Sequence, residues 1–393
     1  PPPAKWRSLA VHITAMNMVV SSSDLQKHLA LVAPVVPAKS VMPVVQQNIH
    51  FELRGDRLYL TASDLENAIQ TSLRIEAAPD ARLNLALPGK IIQDTLKALP
   101  EQPVTFTQLE DAFVVKMQTD NGEYKVQGHD GADFPMPPAP QGAQRIQMPL
   151  TLLVKAIEKT LFATSPDDLK PAMTGVFFDF RKDAATFVAT DAHRLVRFRR
   201  TDIQHAEEAH FILPKRALQT VKSAASSASE DLVVIEYNST NAFLHIGDTL
   251  LVCRFIEGRF PDYEHVIPKA SPNRLLMDKK ELVSTMRRLD IYSNKTTHLG
   301  RFELQGNTIL VQCEDYDLAN QGKEKLSCIY DGEDMEIGFN VSLLFDVIDN
   351  VDTNEVVMEL DTPGRAAIIR PAENAEHEDL LMLAMPVMLN VGY

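Results

Sequence analysis

Apolar residues recur with helical spacing at three places along the chain: Leu25, Leu29 and Val32; Leu153, Ile157 and Leu161; Leu282, Met286 and Leu289. Spacings of three and four residues put each set on one face of a helix. Ser21, Ser22, Ser23 and Asp24 offer N-cap oxygens ahead of the first set. Each predicted helix is followed by a stretch in which apolar and polar residues alternate: FELRGDRLYLTASD from Phe51, FFDFRKDAATFVATD from Phe177 and FELQGNTILVQCED from Phe302. Short polar turns such as Arg54-Gly55-Asp56 and Gln305-Gly306-Asn307 split these stretches, which predicts antiparallel hairpins rather than βαβ crossovers. A second helix is predicted in the segments opening at Leu87, Leu213 and Phe339, followed by the β-rich runs VTFTQ, LVVIEY and EVVMEL.

Leu87, Leu213 and Phe339 are spaced by 126 residues, and a Phe/Met-Pro dipeptide recurs at Phe134-Pro135, Phe260-Pro261 and Met385-Pro386. A period of this length is domain-sized, so the pattern predicts one α+β fold of two helices and antiparallel sheets, repeated three times. The expected boundaries are 16–144, 145–270 and 271–393, with the Pro-rich segments FPMPPAP and IPKASPN near the two junctions. Residues 1–15 precede the repeat and read as a leader or expression scar.

A hydrophobic fraction of 45% and a charged fraction of 23% are those of a globular protein. The apolar runs are too short to span a membrane. Cys253, Cys313 and Cys328 show neither disulfide nor zinc spacing, which points to buried thiols in a reducing, cytoplasmic compartment. A net charge of −14 counts against nucleic-acid binding unless the cations are gathered on one surface. They are placed suggestively. Lys155 and Lys159 fall on the helix face opposite Leu153 and Ile157, Lys27 stands likewise to Leu25, and Arg287 and Arg288 lie off the Leu282 stripe. Lys90, Lys97, Lys215, Arg216 and Lys222 decorate the second helices, whereas the last helix carries Asp346 and Asp349 and no basic residue.

Phosphate-cradle, dinucleotide, zincin and serine-hydrolase motifs are absent, and no metal or cofactor site is expected. The densest polar cluster is Thr190-Asp191-Ala192-His193-Arg194-Leu195. His193 oriented by Asp191 would suit a hydrolase-type base. The alternative is a turn in which Thr190 and Asp191 bond local backbone N–H groups, and the turn-like sequences at the matching positions, Ser63-Asp64-Leu65-Glu66 and Cys313-Glu314-Asp315-Tyr316, favour it.

Four motifs in order, TDAHRL, GRFPDYEHVIP from Gly258, EIGFNVSLLFDVID from Glu336 and LAMPVML from Leu383, resemble the bacterial DNA polymerase III beta subunit, the sliding-clamp family. The resemblance covers Met16 to about Leu389. It implies a non-enzymatic processivity factor that dimerises head to tail into a ring, encircles double-stranded DNA and tethers the polymerase III alpha subunit, the clamp loader and other proteins carrying a clamp-binding motif. It implies a partner-peptide pocket between the second and third domains, comprising Met173, Thr190, Ala192, His193, Arg194, Leu195, Pro261, His265, Val266, Ala366, Leu383, Met385 and Pro386. Here Ala192 stands where the family usually has Gly, His265 where Arg is frequent, and Met388 where Arg usually follows the terminal motif. DNA-facing cations are expected at Lys27, Lys39, Lys90, Lys155, Lys159, Lys215, Arg216 and Arg287. The dimer interface is expected at Tyr124 and Val126 of one chain against Ile291 and Tyr292 of the other. Adjacent Ile291 and Tyr292 cannot both face one core from a helix.

Overall fold

The computed structural model describes residues 17–37, 44–78, 81–109 and 113–389. Lys39, the leader at 1–15 and the last four residues lie outside them. The described residues contain six α-helices, two per repeat: α1 (Ser22–Val32), α2 (Gly89–Ala98), α3 (Leu150–Thr160), α4 (Lys215–Ala225), α5 (Lys279–Leu289) and α6 (Val341–Asp349). The apolar stripes are buried as the spacing predicts, with Leu25, Leu29 and Val32 inside under α1 and Leu282, Met286 and Leu289 under α5. Leu161 departs from the pattern: α3 ends at Thr160, and Leu161 opens a single 3-10 turn. Side-chain caps start three of the helices. Ser21 accepts from Asp24 N at 3.4 Å, Asp278 from Glu281 N at 2.7 Å and Asn340 from Leu343 N at 3.0 Å.

The predicted hairpins form. Ile49–Arg54 pairs with Arg57–Ser63, Gly175–Phe180 with Ala185–Thr190, and Leu299–Gln305 with Thr308–Asp315, all antiparallel. Gly55 and Gly306 take the left-handed backbone, φ 63° and 54°, that the first and third of these tight turns require.

The chain folds into two compact units, one comprising Pro1–Thr151 with Gln219–Arg254 and the other Leu152–Leu218 with Phe255–Tyr393. Among its described residues the first unit has a five-stranded sheet, ending at the edge strand Glu123–Gln127, and a nine-stranded sheet. The nine-stranded sheet is assembled from two repeats. Asn67–Arg74 of the first repeat pairs with Thr249–Arg254 of the second, with Ile69 opposite Leu251 and Ala68 opposite Val252. Phe243, Ala68 and Val252 are buried together at that seam.

The second unit repeats the plan. Its nine-stranded sheet joins Arg194–Arg200 of the second repeat to Glu378–Ala384 of the third, with Leu195 opposite Leu383. A four-stranded sheet ends at the edge strand Asn320–Ser327. The 126-residue repeat and the compact unit therefore divide the chain differently, because each large sheet runs across a repeat junction and its backbone hydrogen bonds bind the two neighbours together. The three cysteines are buried free thiols, and burial pushes the Cys253 thiol up to about 12. No helix among the described residues is long and apolar enough to cross a membrane.

Candidate functional site

The turn after Ala185–Thr190 builds a cleft in the second unit. Thr190 Oγ1 donates to Arg194 O at 2.7 Å and accepts from Ala192 N at 3.1 Å. Asp191 Oδ1 accepts from His193 N and Arg194 N, both at 2.9 Å, and Asp191 Oδ2 accepts from Arg194 Nε at 3.0 Å. Both carboxylate oxygens are thus engaged within the turn, and among the described residues no hydrogen bond joins Asp191 to the His193 ring. The carboxylate–imidazole pair that a hydrolase reading requires is not formed. Ala192 occupies the left-handed region, φ 77°, which favours glycine.

Three further bonds fix the wall. Arg194 Nη1 donates to Asp346 Oδ2 at 2.6 Å and Nη2 to Phe162 O at 2.8 Å, with the guanidinium 5.3 Å from the Phe162 ring centroid. Met385 N donates to His193 O at 2.8 Å, which carries the last strand's backbone onto the turn. Because Leu195 and Leu383 are cross-strand partners, their side chains share one face, where they pack with Ala366, Ile368, Phe260 and Tyr263.

The resulting cleft has a volume of about 540 Å³. Its floor is buried, with Leu195, Leu383 and Ala366 at most 5% exposed, while Val266 and Met385 stand 54% and 42% exposed at the rim. An apolar floor with adaptable methionine at its edge suits aliphatic side chains of varied shape. Every residue expected in this pocket lines it except His193 and Pro386. His193 contributes its backbone: its N–H donates to Asp191 Oδ1 and its carbonyl accepts from Met385 N. Asp262, Tyr263, Ile267, Pro268, Gly364 and Arg365 also line it without having been anticipated. The first four sit inside the GRFPDYEHVIP run, where the motif itself was the available signal. Gly364 and Arg365 follow a strand and carry no such mark.

The rim is charged. His265 Nδ1 lies 2.8 Å from Asp262 Oδ2. The hydrogen bond to Asp262 raises the imidazole's affinity for its proton, and His265 in turn holds the Asp262 carboxyl below its ordinary range. Burial and the nearby Asp179 and Glu264 carboxylates push the Tyr263 phenol up to about 12, so it stays protonated.

The cations divide into two groups. Lys27 and Lys90 are exposed on α1 and α2, with Asp24 and Asp94 beside them at 3.6 and 3.0 Å. Lys215, Arg216 and Arg287 are exposed on α4 and α5. Lys155 and Lys159 do not share that setting, which corrects the helical-wheel reading. Lys155 Nζ donates to Glu378 Oε1 at 2.6 Å and lies 3.5 Å from Asp352 Oδ2. Lys159, 8% exposed, donates to Asn350 O at 2.7 Å and bonds Asp352. The face opposite the α3 core is covered by the third repeat, which a wheel drawn for one helix cannot reveal.

The expected dimer residues also divide. Tyr124 is 37% exposed on the Glu123–Gln127 edge strand, and Ile291 and Tyr292 are 68% and 43% exposed in the 3-10 turn after α5. Val126 is 5% exposed, so its side chain belongs to its own core and offers no surface to a second chain. Tyr124 and Val126 lie on one face of the strand, the face on which their cross-strand partners Met117 and Val115 are buried; Val126 packs into that core, while Tyr124 stays partly exposed.

Comparison with known proteins agrees with these features. Family models for the N-terminal, central and C-terminal domains of the DNA polymerase III beta subunit match residues 16–138, 147–262 and 264–386. The beta sliding clamps of Synechocystis sp. and Synechococcus elongatus are 29% and 27% identical to it, each over 95% of this chain and all of the relative. A DnaN sliding clamp of Pseudomonas aeruginosa, solved with griselimycin bound, superposes with a TM-score of 0.89 over 95% of this chain and 100% of that one at 24% identity. The C. crescentus beta sliding clamp, solved with polyethylene glycol bound, also gives 0.89, at 22% identity. With three successive domain matches and the whole length of its relatives covered, the chain belongs to the bacterial DNA polymerase III beta-subunit family, the beta sliding clamps.

Proposed function

We propose that two copies of this chain close head to tail into a ring around duplex DNA and hold replication and repair proteins there without catalysing a reaction. One observation carries this reading. The first half of repeat one is joined by strand pairing to the second half of repeat two, and repeat two to repeat three in the same way. The two halves left over end in unpaired edges, Asn320–Ser327 and Glu123–Gln127. A third junction of the same kind, made with a second copy, uses both edges and closes a heterologous contact into a ring. Tyr124, Ile291 and Tyr292 provide apolar surface for it. The three domains then run over 16–144, 145–270 and 271–393.

Within this reading Lys27, Lys90, Lys215, Arg216 and Arg287 face DNA phosphates, and Lys39 joins them. The contacts are electrostatic and sequence-independent, as a sliding ring needs. The cleft around Leu195 and Leu383 receives a short peptide from the polymerase III alpha subunit, the clamp loader and other proteins with a clamp-binding motif. Each buried aliphatic anchor contributes roughly 1.5 to 3 kcal/mol, and ordering the peptide offsets much of it, giving micromolar affinity. The free buried thiols suit the cytoplasm. Light scattering tests the assembly: the wild type should have twice the chain mass, and Ile291→Ala with Tyr292→Ala should lower it to one chain while circular dichroism stays unchanged. A wild-type monomer at micromolar concentration would refute the ring.

A further inference from the structure

The two strand junctions inside the chain share one register. In the first, Ile69 stands opposite Leu251 and Gln70 opposite Leu250. In the second, Val196 stands opposite Met382 and Arg197 opposite Leu381. The cross-strand rows behind these residues show that the positions are equivalent, and they continue into the two free edges. From Gln70 the row runs through Thr61 and His50 to Ala86, and from Arg197 through Val188 and Phe177 to Ile212. From the edge residue Lys323 it runs through Gln312 and Arg301 to Gly338. Ala86, Ile212 and Gly338 are spaced by 126, so Lys323 matches Gln70 and Arg197, and its neighbour Gly322 matches Ile69 and Val196. On the other side, the row from Leu251 runs through Leu244 and Ile235 to Ile146, and that from Met382 through Ile369 and Met358 to Leu275. From the edge residue Tyr124 it runs through Met117 and Phe106 to Met18. Ile146, Leu275 and Met18 each stand four residues before the first residue of a helix, Leu150, Lys279 and Ser22. Tyr124 therefore matches Leu251 and Met382.

A third junction in the same register sets Tyr124 of one copy opposite Gly322 of the other, and Glu123 opposite Lys323. The side chains suit it. Tyr124 lies on the face of its strand where Met117 and Val115 are buried, and Gly322 lies on the inner face of its own, opposite the buried Cys313. A Cβ on Gly322 would come within 3.0 Å of Leu289 and Tyr292, so that place on the edge holds no side chain. An aromatic ring laid across it covers the bare backbone. Glu123 and Lys323 are both exposed, on the outer face, and opposite charges directly across a ladder stabilise it where like charges oppose it. Other registers lose these contacts. A slip of one residue turns Tyr124 to the outer face. A slip of two sets Lys125 opposite Lys323 in one direction, and in the other moves Tyr124 off Gly322 and Glu123 off Lys323.

On the head-to-tail reading, on which this rests, we propose that the edges of two copies pair antiparallel in the register of the internal junctions, with Tyr124 laid over Gly322 and Glu123 paired with Lys323. The test uses the full chain with engineered cysteines, the native ones being buried. Cα atoms directly across a ladder lie about 4.5 to 5.5 Å apart, within reach of a disulfide. Under mild oxidation Glu123→Cys with Lys323→Cys should therefore give a covalent two-chain species on a denaturing gel. Lys125→Cys with Lys323→Cys, offset by two residues, should crosslink slower by about tenfold or more. Charge gives a second readout. Glu123 also has Lys116 and Lys125 of its own chain at 3.6 and 3.9 Å, so a rescue is read rather than a loss alone. Glu123→Lys should weaken the dimer several-fold, and adding Lys323→Glu should restore it. In a protein that scatters light as a dimer, faster crosslinking of the Lys125 pair, or no recovery with Lys323→Glu, would overturn the register and leave the ring standing. A wild-type monomer would overturn both.

Discussion

Arg194 Nη1 and Asp346 Oδ2 lie 2.6 Å apart, tying the turn at the head of the cleft to α6. This pair accounts for one of the two carboxylates of α6, the second helix of the third repeat. It bears carboxylates where its counterparts bear lysines, and one of them answers a guanidinium that is otherwise buried. Removing the two partners should cost unequal amounts. Arg194→Ala leaves Asp191, whose side chain is 9% exposed, without its cation, and should destabilise by about 3 kcal/mol. Asp346→Asn, at a side chain 43% exposed, should cost about 1 kcal/mol or less. Urea unfolding of both variants checks this, and equal losses would show that the Asp346 pair, not the Asp191 turn, holds Arg194.

Ala192 holds a left-handed backbone at the cleft wall. Ala192→Gly relieves about 1 to 2 kcal/mol of that strain, offset by about 0.5 to 1 kcal/mol of unfolded-chain entropy. The variant should melt at the same temperature or slightly higher, with peptide affinity equal or tighter because a methyl leaves the lining. A clear drop in Tm would mean that the methyl contributes packing that outweighs the strain.

Asp352 gives the fold an acid limit. Burial works against its ionisation, but the hydrogen bond and charge of Lys159, with the charge of Lys155, outweigh burial and hold the carboxyl below the usual range. A carboxyl depressed in the folded state contributes stability above its unfolded pKa and loses it as pH falls through the folded value. Asp352→Asn should therefore be less stable than wild type at neutral pH, with the difference shrinking under acid below the ordinary carboxylate range. A difference constant from neutral pH into strong acid would show that the pair contributes nothing.

Much of this was legible in the sequence because it is local. The 126-residue period, the stripes under α1 and α5 and the hairpins at Gly55 and Gly306 each depend on residues within one element. The Asp191 turn was legible too, since Asx side chains bond their own backbone. What escaped depends on distant neighbours. Lys159 reads as a solvated helix lysine until the Asn350–Asp352 segment is laid over it, and Val126 reads as an interface residue until its sheet turns inward. The seam of the first unit escaped for the same reason: Ala68 and Val252 are 184 positions apart in the sequence and pair only because a sheet crosses a repeat junction.

The two kinds of lysine should part under mutation. Lys90→Ala, at an exposed site, should leave stability unchanged and lower the slope of log affinity against log salt for duplex DNA by about 1. Lys159→Ala should leave that slope alone and reduce stability, since it strips a buried bond from Asn350 O. Salt-dependent fluorescence anisotropy and urea unfolding on the same two variants separate them, and a shared phenotype would contradict the assignment.

Retention on DNA of fixed topology tests the sliding-clamp account most directly. The labelled protein is loaded by a bacterial clamp loader onto a nicked circular plasmid and washed at high salt, and half of the sample is then cut once with a restriction enzyme. A ring held by topology survives the wash on the circle, because phosphate contacts that salt abolishes are not what retains it, and it leaves the linear molecule by sliding off the ends. The account predicts protein on the intact circle and its loss after the cut. Equal loss from both, or equal persistence on both, would contradict it.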